Sequence, residues 1–192
     1  MFVVALLGFG AAIDGFSHAL HPMALLGARG APHWWGFDLF GFVLPGLLAW
    51  WVLVRIGRAS ESTTTSADAA VAKSGRHWST GIGWTLCALS ALAFALQGAL
   101  PVDAEKGLGY GLGRLHVAAW TVWWIAFVAG AVLLAIGAQQ MRVVRVVTLV
   151  VAAIVLGFAM LVVIPGAPAL GQRIACVAWF GWVWWMARVS MR

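Results

Sequence analysis

A chain of 192 residues with 63% hydrophobic and 9% charged side chains departs far from a soluble domain, which carries about 45–50% apolar and about 25% charged residues. The excess is too large for one buried core, so most side chains must be solvated by lipid or by other helices. The net charge of +6 does not indicate nucleic acid, because the Lys and Arg residues lie scattered between apolar runs and form no basic stripe.

The first apolar run covers about Phe2–Leu20. Met1–Ile13 contains no Lys or Arg, and no small-residue cleavage site follows, so the run reads as a retained helix rather than a signal peptide. Five further runs follow at about Trp34–Ile56, Trp78–Leu100, Leu115–Ala138, Val146–Ile164 and Ile174–Val189. Most are close to the ~20 residues that cross a hydrocarbon core, and each is bounded by charge, Gly or Pro. A membrane barrel is excluded, since no run alternates with period two. The expected fold is all-α: a single six-helix transmembrane bundle with both termini cytoplasmic. Small residues four apart, such as Gly8/Ala12, Ala126/Gly130 and Ala153/Gly157, suit close helix packing. The segment Gly57–Arg76 is rich in Ser, Thr and Ala and reads as a surface loop. Pro101–Gly113, with Gly107, Gly109, Gly111 and Gly113, lacks the preceding strand and the spacing of a dinucleotide motif.

Orientation follows from the basic residues. Arg55, Arg58, Lys73, Arg76, Arg142, Arg145, Arg188 and Arg192 fall on one side, and Arg29, Lys106, Arg114 and Arg173 on the other. The first side is expected to be cytoplasmic. Of the 13 tryptophans, Trp34, Trp35, Trp50, Trp51, Trp78, Trp184 and Trp185 fall near span ends, as an interfacial belt requires. Trp120, Trp123 and Trp124 lie deeper and suit core packing better than a cavity lining. Cys87 and Cys176 sit inside apolar runs and read as buried small hydrophobes.

The stretch most suggestive of chemistry runs from Asp14 to Pro22. Asp14, Ser17, His18 and His21 stand at i, i+3, i+4 and i+7, which on a helix is one face. A lipid-exposed carboxylate costs at least about 2.5–3.5 kcal/mol, so this face is expected to turn toward a protein interior, with Asp14 roughly 10 Å below His21. His33 and Asp38 flank the second span, Asp103 and Glu105 lie in the second outer loop, and Arg114 and His116 open the fourth span.

Three readings stay open. His18, His21 and His116 are candidate ligands for a zinc-type metal with an open position that activates water. Asp14 and Ser17 would then be the catalytic pair of an intramembrane hydrolase acting on a lipid ester or amide. Alternatively, His33, Asp38, Asp103 and Arg114 line an outward-facing pocket without chemistry for a lipid-like ligand, with Arg29, Arg114 and the histidines holding an anionic headgroup. The third reading is structural, with Asp–His hydrogen bonds fixing helix packing. Neither HExxH nor GxSxG is present, so no short motif decides between them. Membrane lipid is the expected partner, nucleic acid is not, and a protein partner or homo-oligomer stays open.

The stretch His21-Pro22-Met23-Ala24-Leu25-Leu26-Gly27-Ala28-Arg29-Gly30-Ala31-Pro32-His33, followed by Phe37 and Gly41-Phe42-Val43-Leu44-Pro45-Gly46, carries a resemblance. So does Pro101-Val102-Asp103, followed after a Gly-rich gap by Gly113-Arg114-Leu115-His116. Together, over about Ser17–Ile164, they resemble the bacterial membrane family called "domain of unknown function 998", distantly similar to the Frag/DRAM/Sfk six-helix proteins. The resemblance implies six spans, a bacterial inner membrane and an outward polar rim. It implies no reaction. Asp38 stands where that pattern has Asn, and Asp14 lies outside it.

Overall fold

The computed structural model describes residues 1–62, 76–137 and 142–190. Its helices are α1 (Phe2–Ala11), α2 (Trp34–Phe37), α3 (Leu44–Ser62), α4 (Arg76–Ala99), α5 (Leu112–Gly137), α6 (Arg142–Leu156) and α7 (Leu170–Ser190). A π-helical segment, Asp38–Val43, joins α2 to α3 without a break, and a second, Gly157–Leu161, extends α6. The described residues contain no strand.

Apolar length decides most of this. Among the described residues, four helices are long and apolar enough to cross a membrane: Trp34–Ser60, Trp78–Ala99, Leu112–Gly137 and Arg142–Leu161. The 21 residues of α7 reach roughly 30 Å, but four tryptophans and two arginines make it less apolar. Large apolar side chains stay exposed along the bundle, including Leu89, Leu92 and Leu96 on α4, Val122, Ile125 and Ile136 on α5, and Val146 and Val150 on α6. Exposed apolar surface on this scale marks contact with something other than water. The four long apolar helices are compatible with a multi-pass membrane protein.

Neighbouring helices run antiparallel. A Cβ on Gly46 would meet Ala95, and one on Gly57 would meet Trp84, which pairs α3 with α4. A Cβ on Gly130 would lie 2.8 Å from the Gly83 carbonyl oxygen, so α4 and α5 approach backbone to backbone. Buried Trp182 donates from Nε1 to Thr148 Oγ1 at 3.0 Å, tying α7 to α6. The centre is aromatic: Phe94 lies 5.4 Å from Trp179 and 5.9 Å from Trp123, ring to ring. Trp123 is therefore core rather than cavity lining, and both cysteines are buried and unpaired.

The largest departure from the sequence reading is at the start. The expected span Phe2–Leu20 is a helix only to Ala11. Ten residues reach about 15 Å, half a hydrocarbon core. The Phe2 ring lies 5.8 Å from that of Phe94 and 5.1 Å from that of Phe180, inside the bundle, while Phe9 meets Phe37 at 5.9 Å. The helix ends at the Ala12 cap, and no helix resumes through Gly15, whose φ of +73° is a left-handed conformation that a helix interior does not contain. Asp14, Ser17, His18 and His21 therefore do not share a helix face. A smaller departure is that Gly57–Ser62, assigned to the surface loop, continues α3. The rest of that loop, at 63–75, and the connection at 138–141 lie outside the described residues.

Candidate functional site

Three segments, 12–33, 100–111 and 162–169, cover one end of the bundle and are stitched together by the backbone. Arg29 N–H donates to the Val102 carbonyl at 2.7 Å, and Ala169 N–H donates to the Ala19 carbonyl at 2.9 Å. Met23, Leu26, Ala28 and Val102 are buried beneath them. The result is a cap with its own apolar underside. Buried Arg173 at the start of α7 closes it, donating from Nη1 to the Ala169 carbonyl at 2.7 Å and from Nη2 to the His21 carbonyl at 2.9 Å.

The expected histidine and carboxylate residues divide into separate groups. His21 and His18 pack on either side of Phe16, with ring centroids 5.5 and 5.1 Å away. His21 Nδ1 accepts the Ser17 backbone N–H at 3.0 Å, so this nitrogen carries no proton. His18 Nδ1 is buried with no hydrogen-bond partner among the described residues. Burial, and secondarily the nearby Arg173 cation, hold the His18 pKa below its ordinary value. Asp14 is exposed in the turn after α1 rather than turned toward the protein interior. His33 is also exposed and enters α2 with φ +55°.

Asp103 shapes its own loop. Its Oδ1 accepts the backbone N–H groups of Glu105 at 3.0 Å and Lys106 at 3.1 Å. These two bonds, that to Lys106 first, hold its carboxyl below the usual range. Arg114 is exposed on α5. His116, two residues on, is buried and turned against α4, with Nδ1 3.1 Å from the carbonyl oxygens of both Gln97 and Leu100. With two carbonyls as neighbours that nitrogen must be the protonated one. Among the described residues, no three His, Cys, Asp or Glu side chains come together as a group able to hold a metal. The expected set His18, His21 and His116 is divided between the Phe16 cluster and the α4–α5 contact.

Under the cap lies a different constellation. Asp38 is 5% exposed, and its Oδ2 is buried without a hydrogen-bond partner among the described residues. It opens the π-helical segment Asp38–Val43, a rare geometry that recurs at functional sites. Gly27 of the cap lies directly on the Asp38 carboxyl, with no room for a Cβ between them. On the other side, the Asp38 carbonyl and Phe42 pack against Gly98 of α4. Gln97, one residue earlier, is fully buried, and neither of its amide atoms has a partner among the described residues. The His116 ring completes the neighbourhood 5.7 Å from that of Phe42. Sequence reasoning singled out Asp38 as a pocket residue and His116 as a metal ligand, and did not single out Gln97. A lone amide in the apolar run Trp78–Leu100 was the available signal. It also read Arg173 as a loop charge, although the residue is a buried clamp.

The chain matches no protein-family model, no curated protein and no solved structure. The resemblance carried by the His21–His33 and Pro101–His116 motifs therefore rests on those residues alone.

Proposed function

We propose that this is a ligand-binding protein of the bacterial cytoplasmic membrane that receives a lipid-like molecule at Asp38, beneath the cap. The observation that carries this reading is a buried carboxyl oxygen without a hydrogen-bond partner among the described residues, at the capped end of a helix long and apolar enough to cross a membrane. A carboxylate in that environment is costly, and such residues mark ligand or ion sites. A headgroup bearing a protonated amine would supply both the hydrogen bond and the opposing charge. Gln97, one residue before the Gly98 that packs on the Asp38 carbonyl, is buried and carries both a donor and an acceptor. Leu39 and Phe40, which follow Asp38, are exposed on the bundle surface, which favours a ligand arriving from the bilayer. The basic-residue count places the cap outside the cell and the ends of α3 and α7 in the cytoplasm.

The test is lipid retention. The protein is extracted with its surrounding bilayer, and the lipids that survive exchange into detergent are identified by mass spectrometry. An amine-bearing lipid retained by the wild type and by Asp14→Asn, but at least about tenfold depleted in Asp38→Asn, is the expected result; tenfold corresponds to the ~1.4 kcal/mol of one charge-assisted bond. Equal retention by Asp38→Asn removes the proposal.

A further inference from the structure

The opposite end of α3 carries a feature that the Asp38 site does not use. Trp50, Trp51, Val54, Arg55 and Arg58 line a groove of about 390 Å³ on the exposed side of this helix. The Arg55 guanidinium lies over the Trp51 ring at 4.9 Å, and Trp51 is 53% exposed. Leu47 and Leu48, one turn toward the bundle centre, are exposed as well. The groove thus grades from apolar at mid-membrane to aromatic and then cationic at the helix end. That is the polarity order of a phospholipid, with acyl chain, interface and headgroup in turn.

Charge supports the same occupant. The end of α3, the connections from α3 to α4 and from α5 to α6, and the end of α7 carry eight cations against two carboxylates, Glu61 and Asp68. The capped end carries four cations against four carboxylates, Asp14, Asp38, Asp103 and Glu105. Among the described side chains, Arg55, Arg58, Arg142, Arg145 and Arg188 belong to the end where the groove lies. Among the described residues Arg55 has no carboxylate partner and stacks on Trp51, which fixes the guanidinium without neutralising it. Arg is suited to phosphate because its planar fork offers paired donors. A second pair, Arg188 over Trp184 at 4.2 Å on α7, repeats the arrangement outside the groove.

We infer that the Trp50–Arg58 groove of α3 binds one anionic phospholipid, with its phosphate on Arg55 and its acyl chain along Trp51 and Leu48. This site is independent of the amine-seeking site at Asp38, since it selects the opposite headgroup charge from the opposite leaflet.

Native mass spectrometry of the protein released from bilayers of equal phosphatidylglycerol and phosphatidylcholine content tests the inference. The wild type should retain phosphatidylglycerol about fivefold over phosphatidylcholine, the ratio that one interfacial cation supplies. Arg55→Gln should bring the ratio near one, whereas Arg188→Gln, an equal charge loss outside the groove, should leave it unchanged. Inorganic phosphate at millimolar concentration should not displace the lipid. The inference is overturned by no selection in the wild type, by an equal effect of the two variants, or by displacement with free phosphate. The wild-type ratio and the phosphate arm decide the matter even if Arg55→Gln fails to fold.

Discussion

Arg173 Nη2 donates to the backbone carbonyl of His21 at 2.9 Å, across 152 positions of the chain. That one bond ties the first residues of α7 to the segment after α1. The same guanidinium holds Ala169, whose N–H in turn holds Ala19. The cap is thus assembled on a buried cation whose acceptors are backbone carbonyls, so its geometry depends on the fork of an arginine rather than on charge alone.

Replacing Arg173 should therefore loosen the cap. Arg173→Lys retains the charge but not both bonds. Each charge-assisted bond is worth about 1.5–3 kcal/mol, so the loss of one predicts a stability loss of about 1.5–3 kcal/mol in thermal unfolding in detergent. A loss below about 1 kcal/mol would show that the cap holds without this clamp.

Acid should weaken the same region through His18. Its folded pKa lies below the ordinary value of 6.5, because burial and Arg173 disfavour the imidazolium. Below 6.5 the unfolded chain then binds more protons than the folded one, so the contribution to stability is complete above pH 6.5 and drains as the pH falls toward the lower folded value. The melting temperature should drop more between pH 7.5 and 5.5 in the wild type than in His18→Leu. Equal drops would assign the acid response to other groups.

The α4–α5 contact should be the least tolerant part of the bundle to added volume. A Cβ on Gly130 would crowd the Gly83 carbonyl at 2.8 Å and the Cys87 sulfur at 2.9 Å. Gly130→Val should cost about 1–3 kcal/mol by overpacking, while Gly157→Val, where nothing lies within 4 Å, should cost less. Thermal unfolding of the two variants side by side gives the comparison.

The later helices were legible because membrane insertion is a length requirement on apolar composition. The expected Trp78–Leu100 and Leu115–Ala138 became Arg76–Ala99 and Leu112–Gly137. The first span was not legible by the same rule, since hydropathy counts Gly15 and Phe16 as apolar and takes no account of the φ that Gly15 adopts. That error produced the Asp14–His21 face, which required a continuous helix. Asp38 was visible as a charge at the edge of an apolar run, but its environment was not. The π-helical turn, the seat under Gly27 and the neighbouring Gln97 arise from contacts between segments that sequence spacing does not encode. Arg173 and Ala19 likewise meet only in the fold.

Orientation is open to direct labelling. Cys87 and Cys176 are buried, so single cysteines can be introduced at Gly109 and Ser66 over a quiet background. A membrane-impermeant maleimide applied to intact cells should label Gly109→Cys and spare Ser66→Cys. The reverse pattern would place the cap in the cytoplasm.

The most direct measurement of the central claim is the stability of Asp38→Leu without ligand, set beside its lipid retention. Leu branches at Cγ as Asp does, with two methyl groups bulkier than the carboxyl oxygens, and Gly27 lies directly on that position without a side chain of its own. If the carboxyl is kept for a ligand, its unpartnered burial is a cost to the empty protein, of about 1–3 kcal/mol, and sites of this kind trade stability for function. Asp38→Leu should therefore unfold at a higher temperature than the wild type in detergent while losing the amine-bearing lipid. A variant that melts lower by 2 kcal/mol or more and keeps its lipid would contradict the account, and would make Asp38 a packing group of the cap.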